Sequence, residues 1–194
     1  MTLTNQHISS NSNIINVILC FDIITNSSKN FDMSKPKAVF VPGGAGFIGS
    51  HVVTELLLNT PYNVLVVDNL SNATPNKTDK KLAPPSLERV QQIVKNHCDQ
   101  NNNEFSNRLE FVYNEYNDEN TIESLHARYE ILATIIVAGS KAVGESKSKP
   151  LMYYKNNVCK TVDMLEILGR LGLTNIIFSS SATVYWIHLL KTQT

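Results

Sequence analysis

Between Val41 and His51 the chain reads Val-Pro-Gly-Gly-Ala-Gly-Phe-Ile-Gly-Ser-His, which sets Gly43, Gly46 and Gly49 in the spacing G-x-x-G-x-x-G. Glycines so placed leave the backbone bare of side chains, and a helix that starts among them turns its free N–H groups toward an approaching anion. A pyrophosphate requires both features. A lone glycine triplet is a weak signal, since a plain turn uses the same residues, but between a strand and a helix it reads as a phosphate loop. Asp68 follows at about the 20-residue distance that this chemistry needs. A carboxylate there accepts hydrogen bonds from an adenosine ribose and repels a 2′-phosphate, which favours NAD over NADP. An Asp-Asn pair also starts plain turns; the position of Asp68 relative to the glycines tips the reading to the nucleotide.

Such a loop works only if a strand delivers it and a helix carries it away. Ala38–Val41 is an apolar run suited to a buried parallel strand. Phe47 to Asn59 carries Ile48, Val52, Val53, Leu56 and Leu57 on one helical stripe. Thr60-Pro61 ends that helix, because a residue before proline avoids helical angles. Asn63 to Val67 is a second strand, closed by Asp68. Further along, the pattern predicts a crossover helix from Ser86 to His97, a strand from Leu109 to Val112, and a weak helix from Asn120 to Tyr129. A fourth strand follows from Ala133 to Val137, then one long helix from Pro150 to Arg170 with proline in its first turn, and a fifth strand from Asn175 to Phe178. Regular alternation of strand and helix implies a doubly wound parallel sheet of the α/β class. Residues 1–34, rich in Asn and Ser, are expected to be a poorly ordered extension, and Met33 competes with Met1 as the initiator.

Composition narrows the function classes. Lys plus Arg is 17 and Asp plus Glu is 17, so no net field draws the chain to nucleic acid or an acidic membrane. The apolar stretch Asn13 to Ile24 is too short for a membrane span and lacks the marks of a secretion signal. The cysteines Cys20, Cys98 and Cys159 form no C-x-x-C pair and the five histidines have no ligand spacing, so free thiols in the cytoplasm are expected and no metal site.

The segments GGAGFIGSH, VVDNLSNA, AGSKAVGES, YYKNN and FSSSATVY occur in the order and approximate spacing of UDP-galactose 4-epimerases. From Lys35 to Tyr185 the chain thus resembles the NAD-binding half of that family, a Rossmann-type fold among the extended short-chain dehydrogenases/reductases. The resemblance implies a site residue by residue. Phe47 and Ile48 lie under the pyrophosphate, while Asp68, Asn69, Leu70 and Asn72 surround the adenosine ribose. Glu115 and Tyr116 fall at the adenine. Ala138 and Gly139 approach the cofactor, Lys141 contacts its ribose, and Asn156 faces the nucleotide. Ser181 matches the catalytic serine that hydrogen-bonds the reacting hydroxyl of the sugar.

The family's chemistry further requires a tyrosine base with a lysine four residues later. None of the seven tyrosines here has one: Tyr62, Tyr113, Tyr116, Tyr129, Tyr153, Tyr154 and Tyr185 are followed at that distance by Val66, Asn117, Asn120, Ala133, Asn157, Val158 and Leu189. The sequence therefore predicts a Rossmann sheet truncated after about five strands, with a divergent tail over residues 186–194 and no complete catalytic set. A nucleotide sugar is a partner only if a full-length enzyme exists. The alternatives are a non-enzymatic NAD-binding remnant and a fragment of another NAD-dependent nucleotide-sugar dehydratase or decarboxylase. KAVGES speaks against the last. Pro42, Glu115 and Ile136 depart from the family's usual Thr, Asp and His; Pro42 removes a backbone donor, at a cost of about 1–3 kcal/mol if its partner is left bare. An exposed sheet edge predicts poor solubility or self-association.

Overall fold

The computed structural model describes residues 34–76, 78–101 and 106–180. Nearly all of the expected extension, the tail and Ser181 therefore lie outside the described residues. Five parallel strands form one sheet in the order β3-β2-β1-β4-β5: β1 (Lys37–Pro42), β2 (Asn63–Asp68), β3 (Leu109–Tyr113), β4 (Glu130–Ile136) and β5 (Ile176–Phe178). The chain steps outward from β1 to β3, returns to the other side of β1 for β4, and continues to β5. That reversal makes a crevice beyond the carboxyl ends of β1 and β4, where open α/β sheets take their ligands.

Helix α1 (Phe47–Asn59) buries Val52, Val53, Leu56 and Leu57 against the sheet, with the bounds its apolar stripe predicts. Thr60 is extended at φ −133°, and its N–H and hydroxyl both return to the Leu56 carbonyl. Arg108 completes this helix end, donating to the carbonyls of Leu57 at 2.5 Å, Thr60 at 2.6 Å and Tyr62 at 2.7 Å. A cation on those last carbonyls also suits the negative end of the helix dipole. Helix α2 (Pro85–Gln100) packs beside α1 through Leu87, Val90 and Val94. It runs three residues beyond the expected His97.

Helix α3 (Glu119–Arg128) starts at Asp118, whose carboxylate accepts from the Thr121 N–H at 2.9 Å. The core beneath it joins Ile122 and Leu125 with Phe40, Leu65, Met164 and Leu168. Strand β4 begins at Glu130, earlier than the expected Ala133, because the Glu130 N–H reaches the Pro36 carbonyl at 3.1 Å and starts the ladder there. A charged first residue hid that start from hydrophobic patterning. A six-residue helix α4 (Val143–Ser148) was not expected; it buries no residue and so leaves no apolar period to read.

The predicted single helix from Pro150 to Arg170 needs correction. It is α5 (Pro150–Tyr154), a π turn (Lys155–Cys159) and α6 (Lys160–Arg170). The wider turn takes up one residue more than an α turn, and such turns recur at functional sites. Pro42, the last residue of β1, keeps its acceptor: its carbonyl takes the Val137 N–H at 3.1 Å, while Gly43 N–H resumes the ladder on the Val67 carbonyl at 3.0 Å. Only the donor half of that position is lost. Among the described residues no helix is long and apolar enough to cross a membrane, and no cluster of His, Cys, Asp or Glu is placed to hold a metal.

Candidate functional site

The loop from Gly43 to Gly46 uses its glycines in different ways. Gly43 sits at φ +80°, and a Cβ on it would meet the Ala138 backbone at 2.5 Å. A Cβ on Gly49 would strike the Gly43 carbonyl oxygen at 2.4 Å, and one on Gly44 would strike the Val66 side chain at 2.7 Å. Three of the glycines are therefore required by the protein's own packing. Gly46 is not: its Cβ would meet only the Gly43 oxygen, at an ordinary 3.4 Å. The space its missing side chain leaves opens outward. Gly46 is also the N-cap of α1, with no side-chain cap and no acidic residue in the first turn, so the leading N–H groups stay available for an anion.

Asp68 stands where β2 ends, and its two carboxylate oxygens tie two loops together. One accepts from the Ala45 N–H at 3.1 Å, the other from the Leu70 N–H at 2.8 Å. Burial raises this carboxyl above its ordinary 3.8; the N–H groups of Leu70 and Ala45 oppose the rise and the charge of Glu115 adds to it. Leu70 itself is held at φ +57°, a conformation that branched side chains adopt reluctantly, with its side chain buried at 7% exposure. Asn69 donates to the Glu115 carboxylate at 3.1 Å and accepts from the Ser71 N–H at 2.9 Å, which fixes its amide.

Across the crevice the exit of β4 supplies Ala138, Gly139 and Lys141, and the π turn holds that exit in place. Asn157 accepts from the Ser140 N–H at 2.8 Å and donates to the Ser140 carbonyl at 2.8 Å. Asn156 donates to the Ser140 hydroxyl at 3.1 Å, and its carbonyl accepts from the buried Tyr116 hydroxyl at 2.5 Å. Asn72 reaches the Gly139 carbonyl at 3.5 Å, linking the two banks.

One cleft at the strand reversal is lined by Gly43, Gly46, Phe47, Ile48, Gly49, Asp68, Asn69, Asn72, Tyr116, Ala138, Gly139, Lys141 and Asn156. Thirteen of the expected residues are thus brought together, twelve from the ends of four strands and the segments that follow them, and Asn156 from the π turn. Leu70 lies behind the lining, where it anchors the loop. Glu115 is also absent from the lining: its carboxylate pairs with Lys160 Nζ at 2.8 Å as well as with Asn69. Burial pushes the Glu115 carboxyl up, but the bonds from Lys160 and Asn69 outweigh it, and the net shift is below the ordinary 4.5. Ser181 falls outside the described residues. The sequence reading missed Lys160 and Asn157, which on a helix surface look like solvated residues; Gly44 carried a signal in its place beside the triplet, and it too went unused.

The profile of the NAD dependent epimerase/dehydratase family matches residues 39–186. UDP-glucose 4-epimerase 2 of Arabidopsis thaliana is 42% identical over 149 residues, a stretch that covers 77% of this chain and 37% of the relative. Human UDP-glucose 4-epimerase is 42% identical over 147 residues, covering 76% of this chain and 38% of the relative. Among solved structures, UDP-glucose 4-epimerase of Bifidobacterium longum in complex with NAD+ and UDP superposes with a TM-score of 0.62 at 38% identity, over 77% of this chain and 38% of that one. The chain therefore spans less than two fifths of the relatives it matches.

Proposed function

The chain belongs to the NAD dependent epimerase/dehydratase family, and on that premise we propose that its cleft holds NAD as the cofactor-binding half of a UDP-glucose 4-epimerase. The observation that carries the reading is Gly46. It is glycine without an internal steric reason, at the uncapped start of α1, facing the cleft. A negatively charged pyrophosphate fits that gap and those N–H groups. Asp68, with oxygens already oriented by Ala45 and Leu70, retains lone pairs for the hydroxyls of an adenosine ribose. Lys141 and Asn156 stand on the opposite bank for the second ribose and the nicotinamide end.

When bound, NAD supplies a hydride acceptor and donor; the described residues bind and orient it. Proton transfer at a sugar hydroxyl needs a Tyr and a Lys that no Y-x-x-x-K in these 194 residues provides. In this reading the 194 residues bind cofactor and, by themselves, interconvert no UDP-sugar, with Ser181 as their one contribution to the catalytic set. The AGSKAVGES stretch supports the epimerase over a dehydratase or decarboxylase. Exposure of Ile176 and Phe178, at 37% and 55%, on β5, the outer strand of the sheet among the described residues, supports self-association through that edge.

Calorimetric titration of the full chain with NAD tests the proposal. Saturable binding at one site, with weaker binding of NADP and no conversion of UDP-galactose, is expected. Absence of any binding at millimolar NAD would remove the cofactor reading.

A further inference from the structure

Tyr116 follows β3, lines the cleft and is only 6% exposed. Its hydroxyl leaves the cleft and donates to the Asn156 carbonyl at 2.5 Å, inside the π turn. In an α-helix that carbonyl would take the Lys160 N–H. Here the Lys160 N–H returns to the Lys155 carbonyl, five residues back, and the phenol bonds where that donor would have stood. The Thr161 hydroxyl, which donates to the Asn157 carbonyl at 3.0 Å, lies 3.5 Å from the same phenol oxygen. The Asn156 side chain is held too: its amide nitrogen donates to the Ser140 hydroxyl and to the Asn157 amide oxygen, both at 3.1 Å. Its own amide oxygen takes no bond from the described residues, and Asn156 lines the cleft.

We propose that Tyr116 is a positioning residue whose hydroxyl holds the π turn open, so that the Asn156 amide oxygen is aimed at the second ribose of the dinucleotide. The inference rests on the dinucleotide reading of the cleft, and it joins the two ends of that cleft. A helix ladder is interrupted where a side chain enters it, and the phenol is such a side chain. Without the hydroxyl, the Lys160 N–H is drawn back to the Asn156 carbonyl. An ordinary α turn there changes the angle at which Asn156 leaves the helix, and its free oxygen no longer meets the ligand.

The test is a double-mutant cycle on the full chain, with NAD and ADP affinities measured by calorimetry for wild type, Y116F, N156A and Y116F/N156A. ADP carries the adenosine and the pyrophosphate but lacks the second ribose. The readout is the ratio of NAD to ADP affinity, from which any effect of Tyr116 on the adenine itself cancels. Y116F should lower that ratio about tenfold, the scale of one well-aimed hydrogen bond. N156A should lower it by itself, and Y116F should add little more in Y116F/N156A. A merely structural tyrosine would weaken both ligands alike and leave the ratio unchanged. An unchanged ratio in Y116F, or losses that simply add in Y116F/N156A, overturns the inference while leaving NAD binding intact. Failure of the wild type to bind NAD overturns the dinucleotide reading itself. If Y116F does not fold, Y116L and Y116L/N156A give the same comparison, since loss of the ring cancels in the ratio.

Discussion

Gly46, the N-cap of α1, and Gly49, in its first turn, stand three residues apart, yet they are glycine for opposite reasons, and two substitutions separate them. A methyl on Gly49 collides with the Gly43 carbonyl at 2.4 Å, so G49A should cost on the order of 1–3 kcal/mol of stability. A methyl on Gly46 meets no such obstacle and costs at most about 1 kcal/mol, from the poorer N-cap. G46A should nevertheless lose most of its NAD affinity, because the methyl occupies the space left for the pyrophosphate. Urea melts and NAD titrations on both variants check the pair; equal NAD affinity in G46A and wild type would refute the role given to Gly46. Spacing alone made these glycines legible, because sterics fixes where they must fall. It did not distinguish a glycine that serves the fold from one that serves a ligand. Lys160 and Asn157 were illegible for a different reason: their partners, Glu115 and Ser140, are distant in sequence, and nothing local marks a lysine or asparagine as engaged.

Among the elements, α1 was read to its end residue because apolar period, Thr60 and Pro61 all agreed, whereas the helix from Pro150 was not. Its π turn is fixed by hydrogen bonds to Ser140 and Tyr116 that lie outside the helix. Tertiary contacts of that kind leave no periodic trace. Strand β3 offers an element-scale prediction. Its Glu110 takes two bonds from Arg128, at 2.6 and 3.0 Å, and one from Tyr129 at 2.9 Å, which ties the edge strand to the end of α3. Burial pushes the Glu110 carboxyl up, but these bonds outweigh it and leave it below the ordinary 4.5. A carboxyl whose folded value is depressed stabilises above its unfolded value, and that stability is lost as pH falls through the folded one. Half of the Arg128 side chain is exposed, so the tie contributes only about 0.5–1 kcal/mol. Urea denaturation of wild type and E110Q should differ by that amount at pH 7 and converge below pH 4.5. A constant difference across that range would assign the effect to packing.

At the scale of the whole molecule, the doubly wound order was the most legible feature, since alternation of strand and helix with right-handed crossovers admits few arrangements. Among the described residues the sheet ends on β5 with Phe178 more than half exposed, and Leu151 and Tyr154 at the start of the long helical segment are exposed at 84% and 63%. Surfaces of this kind associate. Light scattering should report a mass well above the 21.7 kDa of one chain, and a monodisperse monomer would count against it. The strand order also sets the sequence of events when the chain is made. Strand β1 can pair with β2 soon after both emerge, Ala38 against Asn63. Its other neighbour, β4, meets it through Lys37 and Glu130 only after α1, α2, β3 and α3 have been synthesised. Loop closure over that length slows the step. The Ala138 backbone closes on Gly43 only once β4 has docked. The cleft thus forms later than the glycine loop itself, and a nascent chain halted before Glu130 would hold that loop without the wall that faces it.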